Sequence, residues 1–324
     1  MLPMNPHLLI IIELAPEYWQ RFELAGFCVH ITTSIAVWTA QRPDDIVKVK
    51  AVLTNGSTGL HADEIAILPG LEIICAQGAG YENVDIVAAQ ARGIIVTHGP
   101  GTNDASVADH AIALLMAIAR GIPQADTAVR RGEWQQARQV RPMVSGKKLG
   151  ILGLGNIGMQ IARRGEMGFG MSVAYHNRMP RADTPYLYIP TAAALAEWAD
   201  FMVIATPGGI ATRHIVDAEV LTTLGPNGFL INIARGSVVD TLALIDALEH
   251  HLIAGAALDV VEGEPAVPPE LIQLANVILT PHIAGRSPEA IAATVQLVLD
   301  NLNAHFSGES VLTPVVPPGL LTKQ

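Results

Sequence analysis

Short apolar runs of strand length alternate with longer segments of helical period along most of the chain. HLLIII opens the series, and EYWQRFELAGF after it has the apolar spacing of a helix. VHIT, Ala51 to Thr54, Glu72 to Ala76 and Ile94 to His98 continue the strand-like runs, with helical or turn segments between them. This β-then-α alternation predicts a parallel sheet with helices on both faces over about the first hundred residues. Two of the runs end in polar breaks, Thr54 to Gly59 and Gln77 to Asp85. Ligands of open α/β sheets bind beyond the carboxyl ends of strands, so both breaks are candidate substrate loops.

Gly99 to Asp104 is a turn cluster before an apolar helix expected from Ala105 to Arg120, and it reads as a domain boundary. The polar stretch RRGEWQQARQVRPMVSGKK then leads to a second β/α series. Its strand-like runs are Leu149 to Leu152, Met171 to Tyr175, FMVIAT, GFLINI, AGAALDVV and ANVILT; PRADTPYLYIP, with three prolines, reads as a loop. SPEAIAATVQLVLDNLNAHF closes the chain as one amphipathic helix, with Ser287 as N-cap and Pro288 at its first position. The expected organisation is two doubly wound α/β domains. The second sheet is expected from about 100 to 288, with the last helix crossing between the two, and a cleft is expected at their interface.

Composition narrows the picture. Half of the 324 residues are apolar and only 15% are charged, which suits sheets buried on both faces. The net charge of −10, with no lysine- or arginine-rich run, argues against a nucleic-acid or anionic-membrane partner. Leu8 to Ile12 has no basic flank and stops at Glu13, and no apolar segment approaches a membrane span, so a cytoplasmic protein is expected. Cys28 and Cys75 lie in or beside apolar runs without metal-ligand spacing; two buried, reduced thiols and no metal site are expected.

The candidate chemistry centres on Lys148 to Arg178. A strand-like run, then Gly153, Gly155 and Gly158 in the pattern G-x-G-x-x-G, then a helix and a second strand form a dinucleotide-binding unit. The helix start, with Asn156 and Ile157, offers unpaired N–H groups to a pyrophosphate. Further along, Arg235, Glu264 and His282 each follow an apolar run, so all three are expected at strand ends. Hydride reduction of a carbonyl needs a proton donor and a cation for a substrate carboxylate. His282 is the candidate acid, Glu264 its orienting carboxylate, and Arg235 the bidentate grip. The other ten histidines show no comparable pairing.

The order GLGNIG, NIARGSVVD, ALDVVEGEP and TPHIAG, with GAGYENVD and RRGEW upstream, resembles the D-isomer-specific 2-hydroxyacid dehydrogenases over most of the chain. The resemblance implies a flavodoxin-like substrate domain of 1–99 with 289–324, completed by the C-terminal helix, and a Rossmann NAD(P)-binding domain of 100–288. It also implies a homodimer, with Trp134 in a segment that approaches the partner's site. It assigns substrate binding to Arg235 and to the backbone at Ala79 and Gly80, and acid/base work to His282 paired with Glu264. Asp259 is implied at the nicotinamide carboxamide, and Thr206, Pro207 and Ala234 beside the cofactor.

NAD-linked forms carry an acid at the end of the second strand, and here that place reads Tyr175, His176, Asn177, Arg178. A guanidinium pairs with a 2′-phosphate, so NADP(H) is expected over NAD(H), with Asn177 and Arg178 at the ribose and Arg181 assisting. Within the family this arrangement resembles the glyoxylate/hydroxypyruvate and hydroxyphenylpyruvate reductase branch. Small 2-oxo acids are the expected substrates, with 2-ketogluconate or an aryl pyruvate as alternatives. Formate or phosphite dehydrogenases and a non-catalytic NAD(H)-sensing protein are other readings of the same frame. Asp104, where many relatives have Thr, receives no role, and Arg286 is left between substrate contact and solvent.

Overall fold

In the computed structural model, which describes residues 5–315, the chain forms two compact units, one of 1–103 with 287–324 and one of 104–286. The parts of the expected domains at 1–4 and 316–324 lie outside the described residues. The breaks fall before Asp104 and before Ser287 because each residue belongs to the helix it opens. Asp104 begins one helix, and the Ser287 hydroxyl accepts the Ala290 N–H of the other.

The first unit runs β1 (His7–Ile10), α1 (Pro16–Leu24), β2 (Cys28–Ile31), α2 (Ile35–Gln41), β3 (Val49–Asn55), α3 (Ala62–Ala66), β4 (Ile73–Gln77), α4 (Ile86–Ala91) and β5 (Ile95–Thr97). All strands pair in parallel in the order β2-β1-β3-β4-β5. This is the flavodoxin-like order.

The second unit runs α5 (Asp104–Arg120), α6 (Ile122–Arg130), β6 (Lys148–Leu152), α7 (Asn156–Phe169), β7 (Ser172–His176), β8 (Leu187–Tyr188), α8 (Ala192–Trp198), β9 (Phe201–Ile204), α9 (Ala218–Leu224), β10 (Phe229–Asn232), α10 (Thr241–Glu249), β11 (Gly255–Leu258), α11 (Pro269–Gln273) and β12 (Val277–Leu279). Its parallel sheet has the order β12-β11-β10-β9-β6-β7-β8, so the winding reverses between β6 and β9. That reversal is the crevice where a Rossmann sheet binds ligands. The last helix, α12 (Pro288–Phe306), returns to the first unit.

Strand period and helix stripe explain both cores. On the first sheet Leu8, Ile10, Leu53 and Ile73 face Phe22 of α1 and Val295, Leu299 and Leu302 of α12. Their neighbours Leu9, Val52 and Ile74 face the opposite layer with Ile35 and Trp38 of α2. α12 therefore shares with α1 one face of a sheet that lies almost two hundred residues before it. On the second sheet Ile151, Val203 and Ile231 meet Ala111 and Leu115 of α5, while Met202, Ile204 and Leu230 meet Leu195, Leu221 and Leu248 of α8 to α10. Each such side chain contributes roughly 1.5–3 kcal/mol by leaving water.

Three details depart from the sequence-based expectations. The proline-rich loop contains the short edge strand β8, which pairs with Ala174 and Tyr175, and the Tyr175 and Tyr188 rings meet at 5.6 Å. Beyond Arg120 the chain forms α6, separated from α5 by Gly121 in the left-handed conformation. Cys28 is only half-buried, whereas Cys75 is fully buried. Among the described residues no single helix is long and apolar enough to cross a membrane; α5 and α6 pass together by length and composition but bend by 60°.

Candidate active site

The carboxyl ends of β6, β9, β10, β11 and β12 stand side by side in that order. Each carries one group of the residues singled out above. The glycines follow β6, Thr206 and Pro207 follow β9, Ala234 and Arg235 follow β10, Asp259 and Glu264 follow β11, and His282 follows β12. Parallel pairing brings onto one edge residues that lie up to 129 positions apart between Gly153 and His282.

The turn after β6 has the shape a pyrophosphate requires. Gly153 has φ 101°, and a Cβ on it would stand 2.6 Å from the Thr206 nitrogen, so only glycine lets the turn pass β9. Gly155, by contrast, is the N-cap of α7 and nothing lies within 4 Å of a Cβ built there. A side chain would fill the space in front of the helix start, where the Asn156 and Ile157 amides have no helical acceptor. The residues present therefore fit a dinucleotide phosphate.

The residues beyond β7 divide differently from expectation. Oδ1 of the Asn177 side chain accepts the Leu154 N–H at 2.7 Å, and Nη1 of Arg181 donates to the Leu154 backbone carbonyl at 2.8 Å. Arg181 also pairs through two nitrogens with Asp183, at 2.9 and 2.5 Å. Both side chains hold the glycine turn against β7. Arg178 is exposed and, among the described residues, makes no hydrogen bond or ion pair.

His282 and Glu264 meet. Nδ1 of His282 lies 2.6 Å from Oε1 of Glu264, with the side chains 36% and 34% exposed. A carboxylate only accepts, so Nδ1 carries the hydrogen and Nε2 is the nitrogen left for chemistry. Glu264 does not follow β11 directly. It is reached through a turn in which its N–H donates to the Val261 carbonyl at 3.2 Å and its Oε2 accepts the Val261 N–H at 3.3 Å. His282 adopts φ 54°, and its N–H donates to the Asp259 carbonyl at 2.9 Å.

Asp259 is engaged with the loop that follows β12. Its side chain is 1% exposed and points into its own loop. Oδ1 accepts the Thr280 hydroxyl at 2.6 Å and the Ile283 N–H at 2.9 Å, and Oδ2 accepts the Ala284 N–H at 2.9 Å. His110 Nε2 lies 3.4 Å from Oδ1 and 3.1 Å from the Thr280 hydroxyl. Although burial opposes the charge, these bonds hold the carboxyl down at about 2. Asp259 thus positions the segment that bears His282.

Arg235 is partly buried, and its Nη1 donates to the Ala234 carbonyl at 2.6 Å. Gly236 behind it lies against the Val261–Glu262 backbone so closely that a Cβ would collide, which seats the β10 loop on the β11 loop. Ala234 is buried, with its N–H on the Asn232 side chain at 3.0 Å. Pro207 is exposed, and its carbonyl accepts the Thr212 hydroxyl at 2.7 Å. Asp104, given no role, is 8% exposed; burial pushes its carboxyl up, opposed by a hydrogen bond with the Asn156 side chain. Arg286 is exposed and donates its N–H to Ile283.

On the first unit the two polar breaks touch. A Cβ on Gly56 would come 2.7 Å from the Gly80 carbonyl carbon, and Asn83 Nδ2 donates to the Ser57 carbonyl at 2.8 Å. His98 Nδ1 is 3.0 Å from the Ala79 carbonyl, and the Tyr81 ring stands edge-on to His98 at 5.1 Å. The loop at Ala79 and Gly80 is therefore held from two sides. Several histidines outside the predicted site prove to be paired. His214 lies between Glu262 at 3.1 Å and Asp240 at 3.8 Å, and His305 lies 3.3 Å from Glu72. Separations of 26 to 233 positions hid these pairs from a linear reading.

Residues 112–284 match the family described as D-isomer specific 2-hydroxyacid dehydrogenase, NAD binding domain. The chain is 42% identical over 304 residues to a glyoxylate/hydroxypyruvate reductase A of Arabidopsis thaliana, covering 94% of this chain and 95% of that protein. It is 38% identical to a 2-ketogluconate reductase of Gluconobacter oxydans, covering 96% and 99%. Among solved structures it is similar to an NADPH-dependent glyoxylate/hydroxypyruvate reductase of Sinorhizobium meliloti in complex with NADP and malonate. That match has a TM-score of 0.88 and 40% identity, and covers 96% of this chain and 97% of that one.

Proposed function

The chain belongs to the D-isomer specific 2-hydroxyacid dehydrogenase family, and from that premise we propose that it reduces a small 2-oxo acid of the glyoxylate or hydroxypyruvate type to the D-2-hydroxy acid, using NADPH in preference to NADH. The observation that carries the reading is the 2.6 Å contact between His282 and Glu264, on the strand edge that also bears Arg235 and the glycine turn.

The glycine turn and the amides of Asn156 and Ile157 would hold the pyrophosphate, with Thr206, Pro207 and Ala234 alongside. When bound there, the nicotinamide would supply the hydride for a carbonyl carbon. Arg235 holds the substrate carboxylate by two parallel hydrogen bonds and draws charge toward the carbonyl oxygen. The backbone amides at Ala79 and Gly80, in the first unit, are further candidate donors to a carboxylate. Nε2 of His282 delivers its proton to the oxygen as negative charge grows there, and Glu264 holds the ring by Nδ1 and stabilises the imidazolium.

The preference for NADPH rests on Arg178, exposed beyond β7 where an NAD-type site has an acid, and on the NADP-bound relative. The homodimer belongs to the same reading, supported by Trp134 at 61% exposure in the segment after α6. A cytoplasmic location accords with two unbridged cysteines. The similarity to a 2-ketogluconate reductase along nearly its whole length keeps a sugar acid as the second substrate reading.

The test is oxidation of NADPH and NADH side by side against glyoxylate, hydroxypyruvate, pyruvate, phenylpyruvate and 2-ketogluconate. Fast NADPH turnover with glyoxylate or hydroxypyruvate is expected. Turnover with 2-ketogluconate alone would replace the substrate, and equal use of NADH would remove the Arg178 argument.

A further inference from the structure

The edge of the first sheet carries a side-chain cluster that the dehydrogenase reading leaves unused. β1 and β2 pair in parallel with His7 opposite Cys28. Strand geometry puts Cys28 and His30, two positions apart, on one face, and register puts His7 on that same face. The three side chains converge. His7 Nδ1 lies 2.9 Å from His30 Nε2, Cys28 Sγ lies 3.8 Å from that same nitrogen, and all three atoms fall within 4.8 Å of one another. All three residues are half-buried, and the Trp38 ring stands edge-on to His30 at 5.2 Å.

We propose that His7, Cys28 and His30 form a binding site for a zinc-type divalent cation, through two imidazole nitrogens and one thiolate, with the fourth position open to water. Zinc binds imidazole nitrogen at about 2.0–2.1 Å and thiolate sulfur at about 2.3 Å. An ion at those distances, with the nitrogens and sulfur spaced as here, subtends about 90° between the imidazoles and about 120° between His30 and the sulfur. These values bracket the tetrahedral angle, so the cluster accepts the ion with small side-chain adjustments. A set of two nitrogens and one sulfur selects a borderline-soft metal over calcium or magnesium.

A metal takes each imidazole in its neutral form and the cysteine as thiolate. On coordination each imidazole keeps its single proton on the ring nitrogen that does not face the ion, and the Cys28 thiol releases its proton to solvent. Asp45 nearby is engaged with Lys48 at 2.9 Å and is not needed as a ligand. The consequence for the fold is a clip that pins the four-residue edge strand β2 to β1.

The test uses the full chain, stripped with chelator and titrated with Co²⁺ as a coloured stand-in and then with Zn²⁺. One equivalent of Co²⁺ is expected to give a thiolate-to-cobalt charge-transfer band that Zn²⁺ bleaches, together with a rise in unfolding temperature. Cys28→Ser should lose the band, and Cys75, fully buried, cannot supply it. His30→Gln should weaken Zn²⁺ binding by at least about 100-fold, the upper end of what losing an outer-shell partner costs. Circular dichroism confirms that each variant is folded, and His7→Gln replaces any that is not. A cobalt complex without the charge-transfer band, a band that survives Cys28→Ser, or zinc affinity unchanged in both histidine variants would overturn the site.

Discussion

Replacing Asp259 by Asn removes one charge and turns one of two acceptor oxygens into a donor. In the native loop both oxygens are committed, Oδ1 to Thr280 and the Ile283 N–H, Oδ2 to the Ala284 N–H. Whichever way the amide is turned, its NH₂ faces a backbone N–H at a site where the native side chain is 1% exposed. The fall of the carboxyl from an ordinary 3.8 to about 2 corresponds to about 2 kcal/mol of stability at neutral pH. Hydrogen bonds to a charged group, at roughly 1.5–3 kcal/mol each, give the same scale.

The sign follows from the depressed value. The stabilisation is fully present above the unfolded-state value near 4, is lost as pH falls through about 2, and is about half gone near pH 3. Urea unfolding of wild type and Asp259→Asn across that range should therefore show a gap of about 2 kcal/mol at neutral pH that narrows on acidification. Because the same bonds fix the segment bearing His282, turnover should fall as well. A neutral-pH gap below about 0.5 kcal/mol, the size of an ordinary surface substitution, or a gap independent of pH would refute the positioning role.

Other expectations can be checked on the same material. His282→Ala should lower turnover by roughly 10²–10⁴-fold, the usual contribution of a general acid, while the half-exposed position leaves the thermal midpoint unchanged. Arg178→Ala should cut kcat/KM for NADPH at least about tenfold, equivalent to about 1.4 kcal/mol, with NADH little affected; equal loss for both cofactors would mean that it does not read the 2′-phosphate. Cys75, buried and with its thiol pushed up to about 12, should resist maleimide in the folded protein. The half-buried Cys28 should react, and mass spectrometry after labelling distinguishes the two.

Much of this protein follows from local sequence. The apolar runs, the turn signals and Ser287-Pro288 are enough to place nearly all the strands and helices, because each element is set by side chains within a few positions of one another. The glycine pattern marks the phosphate turn for the same reason. Arg235, Glu264 and His282 are legible because each lies at or a short turn beyond a strand end, and in a parallel sheet every strand ends on the same side.

What the strand runs do not carry is the order in which strands become neighbours. That order makes β11 and β12 adjacent, so that Asp259 serves the His282 segment. It turns Asn177 and Arg181 toward Leu154 and places His7 opposite Cys28. An aspartate, an asparagine or a cysteine looks the same in sequence whether it meets a ligand or its own backbone. Only tertiary pairing decides which, because a buried polar group takes whichever partner the fold brings within hydrogen-bond reach.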